Sequence, residues 1–263
     1  MGNEMLKVIS LGAGVQSSTL FMMSCLGQIE KADCAIFADT QQEPKSVYEY
    51  LEWLESQGDK YGIPVYRVTS GDLGKDITDY VAGNRSRVAS IPVFVDSESG
   101  GITNRNCTLD YKIAPIKRQA REIMKVKGLT SIEMWIGISI DEVQRMKDSR
   151  VKYITHRWPL VDLRMDRNDC KKWWTDFGGR IPPRSACVFC PYHSNAEWRR
   201  LKAEEPEAFA EAIEFDERIR DYPKMRSKVY LHRSKMPLKD VDFDNTDQHD
   251  FGFDHECEGM CGV

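Results

Sequence analysis

The stretch ISLGAGVQSSTL, Ile9 to Leu20, decides how the fold is read. Apolar residues run from Leu6 into Gly12-Ala13-Gly14; Val-Gln-Ser-Ser follows, then an apolar-periodic run to about Gly27. That order predicts a buried strand over 6–11, a tight glycine turn and a helix. A turn of this kind suits an anion, because backbone N–H groups face it and the helix dipole adds attraction. Candidate contacts are Ser10, Gly12, Ala13, Gly14, Gln16, Ser17 and Ser18, the serines adding hydroxyl donors. No Gly-Lys-Ser/Thr follows, so the turn is not a Walker A loop, and it lacks the third glycine of the dinucleotide fingerprint. An ordinary strand-to-helix turn fits the same letters.

Outward from this turn, strand and helix patterns alternate. CAIFAD reads as a second strand ending in Asp39, and PVYRVT as a third. Between them Val47, Tyr50, Leu51 and Leu54 form a helical stripe. IPVFVDSESGGIT reads as a strand and turn or a hairpin, IAPIKRQAREIMKVKG as a helix with a glycine stop, and IEMWIGIS as a fourth strand. This predicts a doubly wound, mostly parallel α/β sheet. Asp39 and Thr40 end the second strand beside the first turn; they suit nucleoside hydroxyls or the cap of the next helix. Beyond Arg157 the pattern turns helical: DRNDCKKWWTDFG is a short helix, and two more meet near Pro206, the first with Ser194 and Glu197 as a capping box. Trp173 and Trp174 suit a stacked base or a packing stripe. The expected division is an α/β domain over 1–157, a helical appendage over 158–239 and a tail over 240–263.

With 263 residues, 41% hydrophobic and 30% charged, the chain reads as soluble and globular. No apolar run approaches the ~18 residues of a membrane span, and the first residues do not read as a signal peptide, so no membrane partner and a cytoplasmic location are expected. The net charge of −4 is uneven: no Lys or Arg follows Lys239, while eight Asp and Glu do, leaving +4 on residues 1–239. A mildly basic body suits an anionic ligand. Arg105, Lys112, Lys117, Arg118 and Arg121 surround Cys107, and Arg145 and Arg184 are further candidates for an anion, against the alternative of solvated helix faces.

Eight cysteines in such a chain do not suggest a disulfide framework. Cys25, Cys34 and Cys170 sit in apolar or helical patterns and read as buried small hydrophobes. Cys187-Val-Phe-Cys190-Pro has a metal-ligand spacing accepted by zinc and by iron–sulfur clusters. Cys107, Cys257 and Cys261 are candidates to join it, with His193, His249 and His255 as substitutes.

Read together and in order, SLGAGVQSSTL, FADTQQEP, NRNCTLDYKIAPI, WIGISIDEVQRM, WPLVD and CVFCP resemble the phosphoadenosine phosphosulfate (PAPS) reductase family of the PP-loop ATP-pyrophosphatase superfamily, over roughly residues 5–220. The resemblance implies a doubly wound sheet that binds ATP or a related adenine nucleotide, with the first loop on the phosphates and Asp39-Thr40 on the nucleoside. Lys112 matches the lysine of the family's Cys-x-x-x-x-Lys-x-x-Pro pattern, here with Pro115, and would neutralise phosphate or sulfate.

Enzymes of the superfamily that split ATP carry Ser-Gly-Gly-x-Asp-Ser; here Gln16 stands in the acid's place, leaving Asp141 or Glu142 to hold magnesium. The resemblance also implies a 4Fe–4S cluster on Cys107, Cys187, Cys190 and one tail cysteine. The alternatives are structural zinc on Cys187, Cys190, Cys257 and Cys261, or free thiols. Three functions follow as expectations: adenylation of an acceptor (an anionic molecule or a nucleic acid) and then its thiolation from a sulfur donor; reduction of a sulfonucleotide to sulfite through Cys257 or Cys261, with a thioredoxin-like reductant; or nucleotide binding by a catalytically weak subunit. The reductase's adjacent cysteine pair and Glu-Cys-Gly-Leu-His ending are absent here. A homodimer is compatible with all three.

Overall fold

The computed structural model describes residues 5–88, 90–97, 101–223 and 225–244. The expected turn is present between strand β1 (Leu6–Leu11) and helix α1 (Val15–Cys25). The chain continues through β2 (Cys34–Asp39), α2 (Lys45–Tyr61), β3 (Val65–Thr69), α3 (Leu73–Val81) and the short β4 (Phe94–Val95). A π-helical turn over Thr108–Ile113 leads into α4 (Ala114–Val126), followed by β5 (Ile132–Ile136), a 3-10 turn over Ile140–Arg145 and β6 (Ile154–Arg157). Then come α5 (Pro159–Asp162), α6 (Arg167–Phe177), α7 (Asn195–Glu204), α8 (Pro206–Arg218) and β7 (Val229–Tyr230).

Five strands form one parallel sheet in the order β3-β2-β1-β5-β6. The chain winds outward from β1 to β3, then returns to build β5 and β6 on the other side. The winding direction reverses beside β1, and ligands of open α/β sheets bind beyond the strand ends at such a reversal.

The period-two alternation of the strands sorts the two faces. Ile9, Leu11, Ala35, Phe37 and Trp135 pack with α1, α2 and α6, whereas Val8, Cys34, Ile36, Met134 and Ile136 pack with α4. Every residue of α1 is buried, as befits a helix pressed between the sheet, α2 and α6. A third core joins Leu73 and Ile77 of α3, Ile91, Val93 and Tyr111 to Phe189, α7 and α8, so it draws on both sides of residue 157. Among the described residues no helix is long and apolar enough to cross a membrane.

Several sequence expectations change in detail. The fourth expected strand stops at Ile136, and a fifth, β6, lies beyond it at the sheet edge. The hairpin expected near residue 94 is closed by a Phe94–Ile102 bridge, and β4 also pairs antiparallel with β7. Helix α2 is capped by Pro44 without a side-chain bond, so neither Asp39 nor Thr40 caps it. The Ser194 cap of α7 is present, but the Glu197 carboxylate is bound by Arg200 at 2.8 Å. Trp174 is fully buried against α1, which removes it from base stacking; Trp173 lies partly buried on Phe177.

Candidate functional site

The turn after β1 is strained and closed on itself. Ala13, not a glycine, holds the left-handed conformation at φ 58°, which costs an alanine on the order of 1 kcal/mol. Gly12 N donates to Ser17 Oγ at 3.1 Å, so the serine hydroxyl bridges the turn. Residues Ser10 to Ser18 are all buried, and the hydroxyls of Ser10 and Ser18 make no hydrogen bond among the described residues. Three more left-handed non-glycines are Gln41 and Arg164, after the ends of β2 and α5, and Lys235, after β7. Strain of this kind collects at functional sites.

Gln16 spans the reversal point. Its amide nitrogen stands 3.3 Å from Glu142 Oε2 and 3.4 Å from Ser139 Oγ, both just past β5. Its amide oxygen accepts from Arg167 Nη1 at 3.0 Å, at the start of α6. Arg145 pairs with the buried Glu142 at 2.5 Å. Asp141 Oδ1 accepts from Ser139 Oγ at 2.6 Å and from Arg167 N at 3.2 Å. Asp141, Glu142 and Arg145 thus stand beside the turn.

Beside this lies the end of β2. Asp39 accepts from Gln41 N at 2.7 Å and from Tyr48 Oη at 2.8 Å. Thr40 Oγ1 lies 3.3 Å from Cys187 Sγ, and Val188 N donates to Gln42 O at 2.7 Å, so the Cys-x-x-Cys loop rests on the C-terminal edge of the sheet.

Cys107, Cys187 and Cys190 line one pocket with Thr40, Arg105, Thr108 and Lys112, around a cavity of about 30 Å³. Lys112 is buried and pairs with the equally buried Glu43 at 3.2 Å; Glu43 also accepts from Ser185 Oγ at 3.1 Å. Burial, and then the Glu43 carboxylate, raise the Cys187 thiol well above its ordinary value, against the pull of Lys112. Arg105 stacks on Tyr192 at 5.5 Å, and Arg184 donates to Tyr192 O at 3.2 Å. His193 is buried with Nε2 3.0 Å from Cys187 O, and burial lowers its pKa to about 3. Among the described residues no three His, Cys, Asp or Glu side chains form a group that would hold a metal ion. Cys257, Cys261, His249 and His255 lie outside the described residues.

Cys25, Cys34 and Cys170 are buried, and burial pushes the thiols of Cys25 and Cys34 up to about 12. The sequence reading missed Glu43, Ser139, Ser185 and Arg167. Glu43 and Ser139 lie inside stretches already marked, FADTQQEP and WIGISIDEVQRM. Arg167 carries no local signal, because its partner Gln16 is 151 residues away. No family model matches the chain, and no curated protein matches it either.

Proposed function

We propose that the protein is an adenine-nucleotide enzyme of the PAPS reductase-like PP-loop type, which adenylates an acceptor and then transfers sulfur to it. The observation that carries this reading is the 3.3 Å contact between Thr40 and Cys187, which sets a cysteine pocket on the same sheet edge as the glycine turn. An acceptor oxygen attacks the α-phosphorus of ATP and pyrophosphate leaves. Hydrosulfide from a sulfide donor then attacks the activated carbon, the carbon–oxygen bond breaks, and AMP departs with the oxygen. Backbone N–H groups between Gly12 and Ser18, whose own N–H groups bond Ser17 Oγ and Gly14 O, stabilise the phosphoryl charge together with the α1 dipole. The hydroxyls of Ser10 and Ser18, buried without partners among the described residues, are further donors there. Asp39 faces the nucleoside from the end of β2. Glu142 is already matched by Arg145, so a magnesium ion carried in with the triphosphate relies on Asp141.

Three thiols beside Arg105 and the Lys112–Glu43 pair have the donor chemistry of an iron–sulfur site, whose negative charge Arg105 would offset. Cys107, Cys187 and Cys190 share the pocket without forming a three-ligand group as they stand; they would have to close around a 4Fe–4S cluster to hold it, with Cys257 or Cys261 as fourth ligand, and structural zinc is the alternative. When bound, the cluster supplies a place for the sulfide. The second reading, a sulfonucleotide reductase that releases sulfite, is favoured by Gln16: a neutral amide stands where ATP-splitting enzymes carry an acid.

The test is anaerobic purification with iron, sulfide and zinc analysis of wild type and Cys187→Ala, followed by assays for pyrophosphate and sulfite release. About four irons per chain, lost in the variant, with pyrophosphate formed from ATP, is the expected result. Sulfite from PAPS selects the second reading. Nucleotide binding without turnover, with one zinc, rejects both.

A further inference from the structure

We infer that Arg167 is the side chain by which the turn tells a nucleoside triphosphate from a monophosphate, with Gln16 among the groups that hold it until phosphoryl oxygens replace the amide. This rests on the nucleotide reading above and adds to it a specificity-determining residue and an exchange of hydrogen bonds.

Arg167 is the first residue of α6, and that helix is fixed in two ways. Asp166 and Asp169 form a reciprocal capping box at its start, with bonds of 2.8 and 3.0 Å. Further along, Trp174 Nε1 donates to Thr19 Oγ1 of α1 at 2.9 Å. Two packed helices therefore bring the arginine to the first turn of α1, and Arg167 N on Asp141 Oδ1 pins its backbone. Its guanidinium lies 3.0 Å from the Gln16 amide oxygen, next to the glycine turn.

The chemistry of Gln16 makes the contact exchangeable. An amide oxygen is a neutral acceptor, whereas arginine and phosphate form charge-assisted, often bidentate bonds of roughly twice the strength. A phosphoryl oxygen therefore outcompetes the amide. The other end of Gln16 remains on Glu142 and Ser139, so the side chain has an anchor when the arginine moves. A carboxylate at position 16 would grip Arg167 and repel the incoming phosphates. The backbone cradle is common to all the nucleotides; the guanidinium adds charge that matters most for the longest phosphate chain.

The experiment is anaerobic calorimetry on the full chain with ATP, ADP and AMP at fixed magnesium. It uses wild type, Arg167→Gln, Arg167→Lys, Gln16→Glu and, as control, Lys171→Gln on the exposed face of the same helix. Loss of one charge-assisted contact predicts that Arg167→Gln weakens ATP by about 10- to 100-fold and AMP by less than about threefold, with Arg167→Lys between. Arg167→Lys, which keeps the charge, covers the case in which Arg167→Gln does not fold; Gln16→Glu, which also brings a second carboxylate to within 3.3 Å of Glu142 Oε2, weakens ATP more than AMP. ATP affinity unchanged in Arg167→Gln or Gln16→Glu, or equal losses for ATP and AMP, overturns the inference and leaves the nucleotide reading standing. Failure of wild type to bind any of the three nucleotides overturns both.

Discussion

His232 shows at the scale of one residue how burial fixes a protonation state. It is 2% exposed, with Nδ1 2.8 Å from Ser234 Oγ and Nε2 3.0 Å from Asn195 Oδ1, and it stands edge-on to Phe243. Burial, helped by Arg233, lowers its pKa to about 4. The fold therefore holds the imidazole neutral, while the unfolded chain takes up a proton near pH 6.5. The stabilisation is complete above that pH and is lost as pH falls towards 4. Urea unfolding is expected to show His232 contributing about 2 kcal/mol to the loss between pH 7.5 and 5. His232→Asn, which stays neutral, should reduce that loss; an unchanged pH slope rejects the assignment. The thiols divide by the same rule. Burial is the largest cause that raises Cys25 and Cys34, with smaller effects of Lys31 on the first and of Asp33 and Lys127 on the second; Cys187 is likewise raised first by burial, but the charges it feels, Glu43 and Lys112, come from distant parts of the chain that no spacing rule reveals.

Elements follow local pattern until tertiary contact overrides it. Gly58 lies inside α2, where alanine has the better helix propensity by about 1 kcal/mol. A Cβ there would stand 2.5 Å from Ile63 O and 3.2 Å from Val65 Cγ2. Overpacking costs about 1–3 kcal/mol, so Gly58→Ala is expected to lower unfolding free energy despite its propensity; a more stable variant in denaturant titration contradicts this. The strands that alternate clearly, β1, β2, β3 and β5, were legible from their apolar runs. Strand β6 was not, because Ile154-Thr155-His156-Arg157 is short and polar and pairs with β5 alone. Helix α3 was missed because Gly71, Asp72 and Gly74 read as turn residues; its Leu73 and Ile77 are buried in a core completed by α8.

The whole molecule does not divide at residue 157 as a pattern of strands and helices suggests, since two of its cores cross that point. Leu160, Cys170 and Trp174 complete the core around α1, and Phe189, Trp198 and Phe215 complete the one around α3. A chain cut after residue 157 therefore exposes two large apolar faces. It is expected to lose the cooperative unfolding transition and to bind a hydrophobic dye, measured by near-UV circular dichroism and dye fluorescence; native-like cooperative unfolding of residues 1–157 counts against this. The sequence by itself determined the parallel α/β sheet, the glycine turn that opens it and the burial of three cysteines, because periodicity and turn chemistry act over a few residues. Only the tertiary structure decided that Gln16 meets Arg167, that Glu43 holds Lys112 and Ser185, and that Cys187 stands on the end of β2. Those contacts join residues far apart in the chain, and the packing of α6 and the Cys-x-x-Cys loop against the sheet, not any local preference, brings them within reach.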